Sequence, residues 1–257
     1  MKSSAELPDA ELMRAREERD DLRRSQQLRD ETLALLVHDM KNPLAGVLSN
    51  AEYLITSKGL TPDQNDCARD ILSASRRLHR LMLSLLDVNL REHGMLLPSL
   101  VTVDLTALTR QVLAENAPGF QDKALQCHLS GTHAPIRLSA DRDMLARLLA
   151  NLLDHAVQVS PHGSAIGVAL ATGQPGTVEI KVSDRGPTHS ADARAHLFET
   201  YAVPEEAQRR ARKGRGLGLA SCRAISEVHG GSIRLEDAPG EGNVIRVLLP
   251  VARAATG

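Results

Sequence analysis

The 257-residue chain has no tryptophan, two phenylalanines and two tyrosines, so aromatics make up 2% of it. It therefore lacks the stacking platforms that binders of single-stranded nucleic acid lay under successive bases. Its core has to be assembled from Leu, Val, Ile and Ala, a set that suits helix-rich packing. Charge of one sign is missing too: 31 Lys and Arg face 32 Asp and Glu, for a formal net charge of −1. No global field draws such a chain to nucleic acid or to an anionic membrane surface. Cysteine is scarce and unpatterned. Cys67, Cys127 and Cys222 are odd in number and far apart, with no metal-binding spacing and no disulfide framework. This points to reduced, structural thiols and a cytoplasmic setting. No apolar run approaches the roughly 20 residues of a membrane-spanning helix. The stretch MKSSAELPDAELMRAREERDD has no apolar segment of the signal-peptide kind. What is present is an ordinary apolar content, 42%, with 25% charged residues, enough for one large domain or two ordinary ones.

Residues 1–31 are dense in Arg, Glu and Asp, with sparse leucines at Leu7, Leu12, Leu22 and Leu28. They read as a charged helix or weak coiled coil, with a frayed tail as the competing reading. From there Leu33, Val37, Met40, Leu44, Val47, Ala51 and Leu54 alternate by four and three, a heptad seam along one helix face. TSKGLTPDQ interrupts it, with Thr61 as N-cap, Pro62 at the first helical position and Gln64 closing a capping box. A second seam follows at Cys67, Ile71, Ala74, Leu78, Leu81, Leu85 and Val88. Two such helices joined by a short loop form an antiparallel hairpin. One hairpin covers its own apolar stripe poorly, whereas two cover it as a four-helix bundle, so residues 32–97 are expected to form a homodimer.

Gly94 and Pro98 mark a boundary. Residues 98–257 change texture to short apolar strands, amphipathic helices such as DRDMLARLLANLLDHAVQVS, and a closing hairpin over SIRLEDAPGEGNVIRVLLP. Strands on one side and helices on the other predict a two-layer α/β sandwich, and an α+β chain as a whole.

The chemistry sits on particular residues. His38 lies off the apolar seam, on a face with Lys41, Asn42, Ala45, Ser49 and Glu52. A lone exposed helical histidine is ordinarily unremarkable, but here Asp39 follows directly and Pro43 interrupts the helix ladder one turn on. The segment HDMKNPL resembles the phosphoacceptor box of sensor histidine kinases. That resemblance implies that the His38 imidazole attacks the γ-phosphate of ATP. It makes Asp39 the general base or orienting acid and Asn42 the residue that positions water when a partner regulator is dephosphorylated.

The second half resembles the ATP-binding domain shared by histidine kinases, gyrase, Hsp90 and MutL. Four segments carry the match in family order: NLLDHAVQVSP, DRGPT, LFETY and GRGLGL. The resemblance assigns ATP contacts to Asn151, His155, Asp184, Gly186, Gly214, Arg215, Gly216, Leu217 and Gly218. Asp184 would accept the adenine amino proton, Gly186 would let the backbone approach the purine, and the glycine turn would cradle phosphates at a helix N-terminus. Arg209, Arg210, Arg212 and Lys213 fall where the family carries a lid. The boxes are degenerate, however. His155 stands where the family has a magnesium-binding Asn, and imidazole replaces a hard oxygen ligand poorly. Gln158 and Val159 replace the usual Lys-Tyr, and Thr188 replaces the last glycine of the adenine box. Magnesium, if held, falls to Asn151 and His155.

The resulting expectation is an ATP-dependent protein-histidine kinase of a two-component system. It would autophosphorylate His38 and pass the phosphoryl group to an Asp on the receiver domain of a separate response regulator, with possible regulator phosphatase activity. The linker near Gly94–Pro98 would act as its hinge. Two alternatives stand beside it: a degenerate kinase acting as a dimeric scaffold or phosphotransfer module, and an ATPase or serine kinase of the same nucleotide fold.

Overall fold

A computed structural model of the chain describes residues 6–131, 134–173, 176–199, 216–238 and 242–251. It divides into two compact units between His79 and Arg80. None of the described helices is long and apolar enough to cross a membrane.

The first unit is a helical hairpin of α1 (Glu6–Thr56) and the leading turns of α2 (Pro62–Glu92). The charged N-terminal segment is helical from Glu6 and runs without a break into the seam. The loop closes as its residues dictate. Thr61 N–H donates to Gln64 Oε1 at 2.9 Å and Gln64 N–H to Thr61 Oγ1 at 3.2 Å, the reciprocal capping box. The Arg76 guanidinium ties α2 to Glu52 of α1 at 2.9 Å. The heptad seam splits into two layers. Val37, Leu44 and Ala51 of α1 are buried with Ala68 and Ser75 of α2, while Met40, Val47, Leu54, Ile71 and Leu78 stay 40–46% exposed. A pair of helices can bury only the layer between them, so the second layer is left as an apolar stripe on the outside.

The second unit begins with the last turns of α2, from Arg80 to Glu92. It continues through β1 (Val101–Asp104), α3 (Leu105–Glu115), α4 (Ala117–Asp122), β2 (Gln126–Ser130), β3 (Arg137–Ala140) and α5 (Arg142–Val159). Then come β4 (Ala165–Thr172), β5 (Thr177–Asp184), α6 (Ala191–His196), α7 (Leu217–Val228), β6 (Ser232–Ala238) and β7 (Gly242–Pro250). Strands β2-β4-β5-β7-β6 form one sheet, parallel only between β2 and β4, and β1 pairs with β3 apart from it. Alternation sorts the sheet's faces. Ile166, Val168, Leu170, Val178, Ile180, Val182, Ile245, Val247 and Leu249 all point to the helical layer and are at most 2% exposed. The opposite phase carries an ion-pair ladder, with Lys181 on Glu179, Arg246 on Glu236 and Arg234 on Glu236. This is the expected two-layer sandwich.

Its largest helix, α5, is started by Asp141, whose Oδ1 accepts from Asp143 N–H at 3.0 Å and Met144 N–H at 2.9 Å. Asp141 Oδ2 accepts from Ser99 N–H at 2.9 Å, so the same carboxylate holds the linker. With Leu96 buried and Met95 N–H bonded to the Leu90 carbonyl, the segment expected to act as a hinge is fastened at both ends. Burial opposes ionisation of Asp141, but the N–H donors of Met144, Ser99 and Asp143, together with Arg147, outweigh it and hold the carboxyl below its usual range. A depressed folded-state value means that this stabilisation is complete above the unfolded value and fades as pH falls through the folded one. Asp141→Ala should therefore cost about 1 kcal/mol at neutral pH. Urea titrations of the variant and the parent chain should converge as the pH is taken below the carboxylate range.

Candidate active site

His38 projects from α1 between the inward-facing Val37 and the outer surface, with its side chain 73% exposed. Its Nδ1 lies 3.4 Å from Asp39 Oδ1, at the long end of a hydrogen bond. An imidazole that donates from Nδ1 to a carboxylate keeps its lone pair on Nε2. Asn42 is exposed one turn on, and Pro43 has no N–H to donate to the Asp39 carbonyl. The arrangement offers a solvent-facing nitrogen nucleophile with an acid fixed beside it.

The second unit holds the remaining residues. Asp184 ends β5 and is buried. Its Oδ1 accepts from Gly186 N–H at 2.7 Å and from Asn243 Nδ2 at 2.9 Å, and Asn243 also donates to the Pro187 carbonyl at 3.2 Å. Among the described residues both bonds fall on one oxygen, which holds the carboxylate and would let Oδ2 accept from a ligand. The turn needs glycine twice. A Cβ at Gly186 would stand 2.7 Å from Val159 Cγ2 and 2.8 Å from Asp184 Oδ1. One at Gly242, whose φ is +89°, would stand 2.0 Å from the Asp184 carbonyl oxygen. Only a glycine there lets β7 begin against β5 and set Asn243 opposite Asp184.

Asn151 and His155 lie one turn apart on α5, the first buried and the second half-buried. Asn151 Nδ2 donates to Ser84 Oγ at 3.0 Å and to the Gly218 carbonyl at 3.3 Å. A carbonyl only accepts, so this contact settles which end of the amide is nitrogen. Gly216 is the N-cap of α7 and makes no side-chain capping hydrogen bond, and Leu217 and Gly218 are the first two residues of the helix. Gly214 and Arg215 lie outside the described residues, as do Arg209, Arg210, Arg212 and Lys213. The fold thus brings Asn151 against Gly218 and sets Asp184 with Gly186.

Magnesium fits part of this donor set. Asn151 carries one hard oxygen, His155 offers nitrogen, and no cluster of three acidic, His or Cys side chains suited to a metal exists among the described residues. A Mg²⁺ ion here would take most of its ligands from phosphate oxygens and water, as the ion ordinarily does in nucleotide sites.

Several residues of the site escaped sequence reasoning. Asn243 has a legible signal: it occupies the inward phase of β7, where Ile245, Val247 and Leu249 follow. Ser84 and Asp87 are polar interruptions in the apolar run LMLSLLDV. Asp87 is buried and takes both Nε and Nη2 of Arg147, at 2.9 and 2.8 Å, and the Ser221 hydroxyl at 2.8 Å. Removing one partner from such a buried pair typically costs ~3–5 kcal/mol. Asp154, adjacent to His155, is taken by Arg80 through Nε and Nη2 at 3.0 and 2.8 Å.

Two family models match the chain: the His Kinase A (phospho-acceptor) domain over residues 28–94, and the histidine kinase-, DNA gyrase B-, and HSP90-like ATPase over residues 140–253. Among curated proteins, the chain is 26% identical over 232 residues to the sensor-like histidine kinase SenX3 of Mycobacterium tuberculosis, covering 90% of this chain and 56% of that protein. It is 30% identical over 253 residues to the adaptive-response sensory kinase SasA of a Synechococcus species, covering 95% of this chain and 65% of that one. The chain thus spans little more than half the length of SenX3. Among solved structures it is similar to full-length ShkA in complex with AMPPNP, at 28% identity and a TM-score of 0.62, covering 88% of this chain and 47% of that one. The Acinetobacter baumannii histidine kinase AdeS shares the fold at 18% identity, with a TM-score of 0.56, covering 84% of this chain and 98% of that one. A phosphoacceptor helix pair and a nucleotide sandwich in this order, each with its own family match, place the chain among the sensor histidine kinases of two-component systems.

Proposed function

We propose that the chain binds ATP in the second unit, transfers its γ-phosphoryl group to His38, and passes that group to an Asp on the receiver domain of a separate response regulator. The observation that carries this reading is the exposed His38 imidazole with Asp39 at its Nδ1. Asp184 would supply a carboxyl oxygen as acceptor for the adenine amino group. The AMPPNP in the ShkA structure supports adenine-nucleotide binding by this domain type. Catalysis would rest on positioning and charge neutralisation around the transferring phosphoryl. Magnesium would supply part of that neutralisation, with Asn151 as its protein ligand and His155 at most a weak one. Asn42 would orient the water that dephosphorylates the regulator. The setting proposed is cytoplasmic.

Incubation with γ-labelled ATP separates the readings. Acid-labile label on the chain supports the kinase, whereas acid-stable phosphoserine on a partner points to a serine kinase. Absence of label favours the scaffold reading, which His155, Val159 and Thr188 at otherwise nucleotide-binding positions keep in play.

The working form is a homodimer, because Met40, Val47, Leu54, Ile71 and Leu78 line an uncovered apolar stripe on the hairpin. Leu78→Glu would set a carboxylate in that seam. It should raise the dimer dissociation constant at least ~10-fold, about 1.4 kcal/mol. Sedimentation velocity over a dilution series reads this directly, and an unchanged distribution would place the dimer contact elsewhere.

A further inference from the structure

The last turns of α2 do more than connect. Ser84 is wholly buried and accepts from Asn151 Nδ2, while the Gly218 carbonyl takes the other donor of the same amide. With its nitrogen spent on those two partners, Asn151 shows a ligand its oxygen. A Cβ built at Gly218 would stand 3.7 Å from that Oδ1, so the oxygen lies beside the first turn of α7. An acceptor oxygen repels a phosphate oxygen and suits a cation between them. Asn151 carries this duty alone, since the residue one turn on is His155. Ser84 is held in place by two ties from the same helix: Asp87 to Arg147 and Ser221, and Arg80 to Asp154.

Resting on the nucleotide reading of this unit, we propose that Ser84 is a positioning residue for the cation of Mg-ATP. The Gly218 carbonyl sets which end of the amide is nitrogen, and Ser84 holds that end in place so that Asn151 Oδ1 is presented to the metal; the docked end of α2 thereby completes the phosphate end of the site. The base end, built by Asp184, Gly186 and Asn243, does not depend on it. Ligand-orienting partners of this kind commonly contribute 10- to 100-fold to metal affinity.

The test is titration calorimetry on the full chain, with ATP in excess Mg²⁺ and with ATP in EDTA. Ser84→Ala should weaken Mg-ATP binding ~10-fold while metal-free ATP binds within about twofold of the parent chain. Arg80→Asp, which breaks the tie to Asp154 while leaving the Ser84 and Asn151 side chains unchanged, should give the same metal-selective loss. Adding Asp154→Arg should reverse it by rebuilding the ion pair with exchanged charges. Equal losses with and without Mg²⁺ would make Ser84 a packing residue, and no loss in either would remove it from the site; both overturn the proposal. A parent chain that binds ATP beside indifferent variants refutes Ser84 alone. A parent chain that binds no adenine nucleotide refutes the nucleotide reading, and this inference with it.

Discussion

In His38→Gln, acid-labile label from γ-labelled ATP should fall to background while ATP binding stays within about twofold of the parent chain. Glutamine keeps a polar, helix-tolerant side chain of similar reach but has no nitrogen lone pair able to take a phosphoryl group. The site is exposed, so the substitution should shift stability by no more than about 0.5 kcal/mol. Label retained in this variant would put the acceptor elsewhere on the chain. Asp39→Asn sharpens the comparison. It keeps a hydrogen-bond acceptor near Nδ1 but removes the charge that polarises the ring, and label should then appear more slowly without disappearing.

The second large effect is at the base. Asp184→Asn should weaken ATP binding ~100-fold or more, from a loss of about 3 kcal/mol. The argument is geometric. Gly186 N–H and Asn243 Nδ2 both donate to Oδ1, so an asparagine side chain would keep its oxygen there and turn its NH₂ toward the ligand. An NH₂ facing the adenine amino group sets donor against donor. The same NH₂ would face the oxygen of a guanine, so GTP should improve relative to ATP. Because the two internal hydrogen bonds survive, the fold should hold. Calorimetry with both nucleotides measures the pair of changes. An unaltered ATP affinity would mean that Asp184 is a turn residue and the base lies elsewhere.

Much of this was legible in one dimension. The four-three spacing of apolar residues marked both helices, and Thr61 and Gln64 marked the restart between them. HDMKNPL singled out His38, and DRG after an alternating strand singled out Asp184. Other features were not legible. The spacing of Met40 and Val47 looks the same as that of Val37 and Leu44, yet the first pair is exposed and the second buried. Periodicity names a face of a helix and says nothing about which layer of it a single partner helix covers. Asn243 lies 59 residues from Asp184, and the register of β5 on β7 sets them opposite each other.

The case of α2 is similar. The seam runs evenly from Cys67 to Val88, which reads as one structural element with one role. The structure divides that helix at His79 and Arg80, because Ser84 and Asp87, two polar residues inside the apolar run, find partners on α5 and α7. A buried polar group has to be satisfied, and sequence does not reveal by whom.

The sequence by itself determined the kinds of element, their order as helices followed by a sandwich, and the two segments, HDMKNPL and DRGPT, on which the proposed chemistry rests. These follow from local patterns repeating every 3.6 or every two residues. Tertiary structure alone decided which apolar layer of the hairpin stays exposed, which oxygen of Asp184 takes both internal hydrogen bonds, and which end of the Asn151 amide bonds to Ser84 and Gly218. Those outcomes depend on strand register and on helix docking, set by surfaces that meet across dozens of residues of chain.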